Sequence, residues 1–200
     1  MTCTTDQSSG IKVTGTDYTP PVTTLYVHGF TGPINPSVGD PGISLTNGSS
    51  LNTTINSGNG FTPGNILINV TDRFGIRAQS QGSAGRDGEN TTESHRSTSG
   101  GAGSIGGNVT VNTIENANSS TIITTAGSNA IGILAISQGG SGGAGNEVSV
   151  TSCSNINTQG NNSHGILAQS IGGGGSGGFT VSGAVAIVDA AVGLGGGTIR

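Results

Sequence analysis

A segment that returns at a fixed spacing constrains this chain more than any other feature. Residues 123–145 lie over residues 156–178 without a gap. Ile123 matches Ile156, Thr125 matches Thr158, Gly127 matches Gly160 and Asn129 matches Asn162. Gly132-Ile133-Leu134-Ala135-Ile136-Ser137 then matches Gly165-Ile166-Leu167-Ala168-Gln169-Ser170, and the glycine tract Gly139–Gly145 falls on Gly172–Gly178, all at the same offset of 33. Val148 meets Val181 at that offset too. An earlier copy is Gly75-Ile76-Arg77-Ala78-Gln79-Ser80-Gln81-Gly82. The step from Gly75 to Gly132 is 57, which is one period plus an insertion of 24. A shorter copy, Gly42-Ile43-Ser44-Leu45, stands one period before Gly75. A fixed period in the range of roughly 20–50 residues marks architectures in which each repeat buries its apolar face only against its neighbours.

The fullest unit holds three strand-like runs: Glu147-Val148-Ser149-Val150-Thr151, Asn155-Ile156-Asn157-Thr158 and Gly165-Ile166-Leu167-Ala168-Gln169-Ser170. In the first two, apolar and polar residues alternate, the mark of a half-buried strand. Asn, Gly and Ser fill the breaks and signal turns. Leu25-Tyr26-Val27, Leu51-Asn52-Thr53-Thr54-Ile55 and Asn65-Ile66-Leu67-Ile68-Asn69-Val70 are further candidates, and Asn108-Val109-Thr110-Val111-Asn112-Thr113 resembles Glu147 to Ser152. Three strands and three turns per unit predict one coil of a three-faced β-solenoid. About four to five coils are expected, with the glycine tracts as flexible loops leaving the solenoid. The expected organisation is an irregular segment over 1–24 and a solenoid over 25–200, with a charged loop insertion around 81–104.

Composition agrees with an all-β class. Glycine takes 39 of 200 positions and charged residues 8%, against about 7% and about a quarter in average domains. Glycine costs a helix roughly 1 kcal/mol per position, and Val and Ile, 32 together against seven Leu, suit pleated strands. Collagen is excluded, since glycine does not fall at every third position and prolines number six. Disorder, an alternative for a segment rich in Gly, Asn and Ser, usually needs higher net charge than −4. Six Lys and Arg give no footprint for nucleic acid or anionic membrane. No apolar run approaches the ~20 residues of a membrane-spanning helix, and Met1 to Gln7 lack the basic start and apolar core of a signal peptide. Cys3 and Cys153 are expected to be unpaired thiols, too few for a disulfide framework and too far apart for a zinc site.

No catalytic constellation stands out, and no cofactor or metal is expected. Ser163-His164 are adjacent, but a triad is assembled in space and needs an ordered acid; a turn before the third strand is the expected place for His164. The only lysine, Lys12, lies outside the glycine tracts, so no phosphate loop is present. Those tracts lack the recurring aspartate of a calcium-binding β-roll. Stacked Asn155, Asn157, Asn161, Asn162, Thr151 and Thr158 would satisfy turn backbones from coil to coil, and a flat threonine array would suit ice. Charge is concentrated between Asp72 and Arg96, which hold eight of the 16 charged residues. Solvated loop charge is the plain reading. The sharper one is a recognition loop, as loops on one face of a repeat array carry binding; its candidate residues are Arg77, Arg86, Asp87, Glu89, Glu93, His95 and Arg96.

The string Ser163-His164-Gly165-Ile166-Leu167-Ala168-Gln169-Ser170-Ile171-Gly172-Gly173-Gly174-Gly175 resembles a repeat of the passenger region of large bacterial autotransporters, the type V secretion proteins of the Gram-negative outer membrane. There a Gly-Ile-x-Ala-Gln-Ser-Ile-Gly-rich block recurs between Val-x-Val and Ile-x-Thr-x-Gly strands. The match is good at 164–178, fair at 131–145 and partial at 74–85, and it spans about residues 40–200. The resemblance implies a right-handed parallel β-helix that is exported and displayed at the cell surface or outer membrane, or secreted, with an adhesin-like role. It also implies a C-terminal β-barrel translocator in the full-length protein, whose alternating strands and aromatic girdles this sequence lacks, so the chain reads as a piece of a longer passenger. The ligand would be a host or bacterial surface group, glycan or protein. The alternative is a polysaccharide-active β-helix, lyase or tailspike-like, which would need carboxylates clustered in a groove.

Overall fold

The computed structural model describes residues 1–5, 7–14, 17–30, 34–36, 40–48, 53–56, 66–68, 74–85, 103–113 and 122–173. All regular elements among them are strands, thirteen in number. In chain order they are β1 (Thr2–Thr5), β2 (Ile11–Thr14), β3 (Thr24–Phe30), β4 (Ile43–Asn47), β5 (Thr53–Asn56), β6 (Ile66–Ile68) and β7 (Phe74–Gln81). Then follow β8 (Val109–Thr113), β9 (Ile122–Thr125), β10 (Ile131–Ser141), β11 (Val148–Ser152), β12 (Asn155–Thr158) and β13 (Ile166–Gly173).

These strands build three sheets. The first runs β1-β3-β5-β8-β11, the second β2-β4-β7-β10-β13 and the third β6-β9-β12. Neighbours in all three are parallel. From β5 onward the chain visits the first, third and second sheets in turn, then adds the next strand to each. The all-β class and the parallel pairing are thus present throughout the described residues.

The second sheet shows why its sequence repeats. Its register stacks Ile43, Ile76, Ile133 and Ile166 in one row and Leu45, Ala78, Ala135 and Ala168 in the next. Asn47, Ser80, Ser137 and Ser170 form a third inward row. Strand alternation sends all three rows to the same face, and Ile76, Ala78, Ile133 and Ala135 are buried there with Leu25, Val27, Val109, Val111 and Ile123 of the other sheets. The Gly-Ile-x-Ala-x-Ser block therefore encodes a wide apolar side chain, a narrow one and a hydroxyl along one inner face. The shorter Gly42 copy belongs to the set, with Ile43 beside Ile76 and Leu45 beside Ala78. Asn108–Thr113 likewise runs beside Glu147–Ser152, with Val109 on Val148 and Val111 on Val150.

The buried hydroxyls answer the main-chain groups that a parallel ladder leaves over at its corners. The hydroxyl of Ser80 donates to Gly48 O at 3.2 Å and accepts from Gly107 N at 2.9 Å. That of Ser137 donates to Gly107 O at 2.7 Å and accepts from Asn146 N at 2.8 Å. Gly107 is held by serines of two successive strands, so the polar row ties each passage of the chain to the next.

Two expectations need correction. The segment 1–24 is not irregular: β1 pairs with β3, setting Cys3 on Val27, and β2 pairs with β4, setting Ile11 on Ile43 and Val13 on Leu45. Ile11 and Val13 are buried in the common core, and the polar Lys12 between them repeats the strand alternation. The first glycine tract is also not a loop leaving the structure. β10 runs through Gly139 and Gly140 to Ser141, and Gly140 N donates to Ser104 O, Gly103 N to Ser141 O and Gly173 N to Gly143 O, at 2.5–2.8 Å. A Cβ on Gly140 would stand 1.7 Å from Ser83 O, and one on Gly173 1.6 Å from Gly140 O. Glycine is required because backbone lies on backbone, not because the tract must move.

Candidate functional site

The outward rows of the second sheet carry the site. Strand alternation turns Ser44 and Arg77 away from the core in one row, and Thr14, Thr46 and Gln79 in the next. Beside them lies a groove of about 290 Å³ lined by Thr14, Thr46, Asn47, Gly48, Arg77, Gln79 and Gln81. Further along the sheet the same rows turn apolar, with Leu134 and Leu167 after Arg77 and Ile136 after Gln79. The polar groove thus ends against an aliphatic step.

Arg77 is the charged member. Its guanidinium lies over the Phe74 ring, 5.6 Å from the centroid, a cation–π distance. Its Nη2 donates to the Gln79 amide oxygen, while its Nε is buried and has no hydrogen-bond partner. Burial pushes the guanidinium below its ordinary pKa, because a charge withdrawn from water is costly. Among the described residues, the lining offers hydroxyls, amides and one cation, with no carboxylate or imidazole. This set can hold oxygen-rich or anionic groups.

Of the sequence-predicted recognition residues, Arg77 lies in this groove. Arg86, Asp87, Glu89, Glu93, His95 and Arg96 lie outside the described residues. The two feet of the insertion do meet: Ser83 and Ser104 share a hydroxyl–hydroxyl bond of 2.8 Å, and Ser104 N donates to Ser83 O at 3.1 Å. Sequence reasoning missed Thr14, Thr46, Gln79 and Gln81. Stacking the repeat copies and reading the variable positions of Gly-Ile-x-Ala-x-Ser as outward would have found Thr46 and Gln79.

The remaining candidates have structural duties. The Ser163 hydroxyl accepts from Ala130 N at 3.2 Å and donates to Gly127 O at 3.0 Å, and His164 O accepts from Gly132 N at 2.9 Å. This pair closes the turn before β13. Asn129 and Asn162 both take φ of 53°, a left-handed turn conformation that asparagine tolerates, and Asn129 N donates to Asn161 O at 2.8 Å. Thr158 stacks on Thr125, but Asn157 falls on Thr124 and Asn155 on Ile122, so the third sheet carries no flat threonine array among the described residues. Cys3 is buried and Cys153 exposed, both as free thiols. Burial pushes the Cys3 thiol up, against the lowering pull of the N-terminal ammonium. Among the described residues no group of three or more His, Cys, Asp and Glu is placed to hold a metal ion. No protein family matches the chain, and neither a curated protein nor a solved structure does.

Proposed function

We propose that the chain forms a right-handed parallel β-helix, a β-solenoid of about four to five coils, within an exported autotransporter passenger. Its role on this reading is adhesin-like and non-catalytic, at the surface or outer membrane of a Gram-negative cell or released from it. The observation that carries the reading is the self-stacking of the passenger-like block, with Ile76, Ile133 and Ile166 in one row and Ala78, Ala135 and Ala168 in the next. Two sheets of five parallel strands and one of three support a three-faced coil. A groove of hydroxyls, amides and one guanidinium supports binding without bond cleavage. The partners are a surface ligand, glycan or protein, and a β-barrel translocator in the full-length protein.

The test has two arms. The reading frame downstream of Arg200 should encode alternating segments of about ten residues with aromatic girdles. Antibody against this chain should label intact cells, and external protease should remove the label. A frame closing without a barrel, with the protein retained inside protease-treated cells, overturns the reading.

A further inference from the structure

The groove beside Arg77 holds a positive charge that none of its described lining residues neutralises. Thr14, Thr46, Asn47, Gly48, Gln79 and Gln81 are all uncharged. The guanidinium is held flat by the Phe74 ring below it and by the Gln79 amide oxygen at Nη2, while Nε–H has no acceptor. A half-buried cation with an unused donor is costly, and the side of the guanidinium bearing Nε and Nη2 is the edge that takes a carboxylate with two parallel hydrogen bonds. Gln79 already places a neutral oxygen at one of those two positions.

We propose that this groove binds a carboxylate-bearing saccharide, its carboxylate seated side-on against Nε and Nη2 of Arg77 in place of the Gln79 oxygen. The hydroxyls of Thr14 and Thr46 and the amide of Gln81 then meet the sugar hydroxyls. A saccharide fits this lining better than an acidic peptide. Apart from Gly48, the described lining side chains end in a hydroxyl, an amide or the guanidinium, and the apolar row of Leu134 and Ile136 begins only beyond Arg77 and Gln79. A volume of about 290 Å³ lies at the low end of ligand sites, about 300–1,000 Å³, and suits a short saccharide. The proposal deepens the surface-recognition reading by naming its ligand class. It is tested on the purified full chain, so its failure leaves the cell-surface location standing.

Binding is measured by calorimetry with hyaluronan oligosaccharides (carboxylate only), dextran sulfate, neutral dextran oligosaccharides and polyglutamate. Hyaluronan should bind, dextran should not, and added salt should weaken the complex. Arg77→Gln should lower affinity at least about tenfold by leaving the carboxylate unpaired. Gln79→Glu should do the same by supplying a carboxylate from within the chain that occupies Arg77. Both positions face outward, so circular dichroism should match the parent. If Arg77→Gln fails to fold, Gln79→Glu still decides. Equal binding of dextran or polyglutamate, tighter binding of dextran sulfate, unchanged affinity in Gln79→Glu, or no binding of hyaluronan overturns the proposal.

Discussion

Gly132 and Gly165 hold the same place in successive copies of the repeat, yet a methyl group means something different at each. On Gly132 a Cβ would stand 2.5 Å from both Gly165 O and Ile156 Cγ2, two groups of the next passage of the chain. On Gly165 the nearest described atom is Ile156 Cγ2 at 3.8 Å, an ordinary contact. Gly132→Ala should therefore destabilise by about 1–3 kcal/mol, the usual cost of overpacking a filled site. Gly165→Ala should stay within about 0.5 kcal/mol. Urea midpoints of the two variants check this, and equal losses would contradict the stacking order. The residue scale also explains the block itself. Its glycine clears the Ile of the neighbouring sheet, and its Ile, Ala and Ser face inward while the positions between them face out.

At the scale of the strand, β10 is held on both sides, by β7 and by β13. Its Ser137 is fully buried and bridges Gly107 O and Asn146 N. Ser137→Ala leaves a buried carbonyl and a part-buried N–H without this partner, a cost of about 1–3 kcal/mol. Ser163→Ala, in a half-buried turn, should cost less. Thermal unfolding followed by circular dichroism separates the two, and a neutral Ser137→Ala would mean that the polar row contributes nothing to holding successive strands together. The strands themselves were largely legible. Val-x-Val and Ile-x-Thr alternation locates β8, β11 and β12, and the Ile-x-Ala block locates β7, β10 and β13. β1 and β2 were not, because neither has a sequence copy one period of 33 further on, and only pairing with β3 and β4 places them.

Across the whole molecule, the spacing between successive strands separates what repeats from what does not. In the second sheet Ile11, Ile43, Ile76, Ile133 and Ile166 follow at intervals of 32, 33, 57 and 33. In the first, Cys3, Val27 and then Leu25, Ile55, Val111, Val150 are paired at intervals of 24, 30, 56 and 39. The step from the third sheet to the second is constant, Ile66 to Ile76, Ile123 to Ile133 and Ile156 to Ile166, and the stretches entering and leaving the first sheet absorb the variation. Deleting residues 132–164 removes one full period and leaves Gly165 where Gly132 stood. That variant should keep its β spectrum and a cooperative transition with a smaller denaturant slope, since less surface is exposed on unfolding. Deleting residues 132–147 breaks the rows and should abolish the transition. Circular dichroism with urea titration reads both, and equal behaviour would show that register does not govern the fold.

Period and alternation sufficed for the all-β class and most strand positions, because they are properties of neighbouring residues along one chain, whereas the inward Ala and Ser rows emerged from the register. Arg77 was marked on another ground, as one of the charges concentrated between Asp72 and Arg96. That Thr14, Thr46, Gln79 and Gln81 stand around it follows from the folded register, since residues 14 and 81 meet through parallel pairing of three strands. The tertiary structure also decided that the glycine tract at 139–145 is packed. Whether a glycine lies in an open loop or under another backbone depends on what crosses it, and that is fixed by the neighbouring passage of the chain.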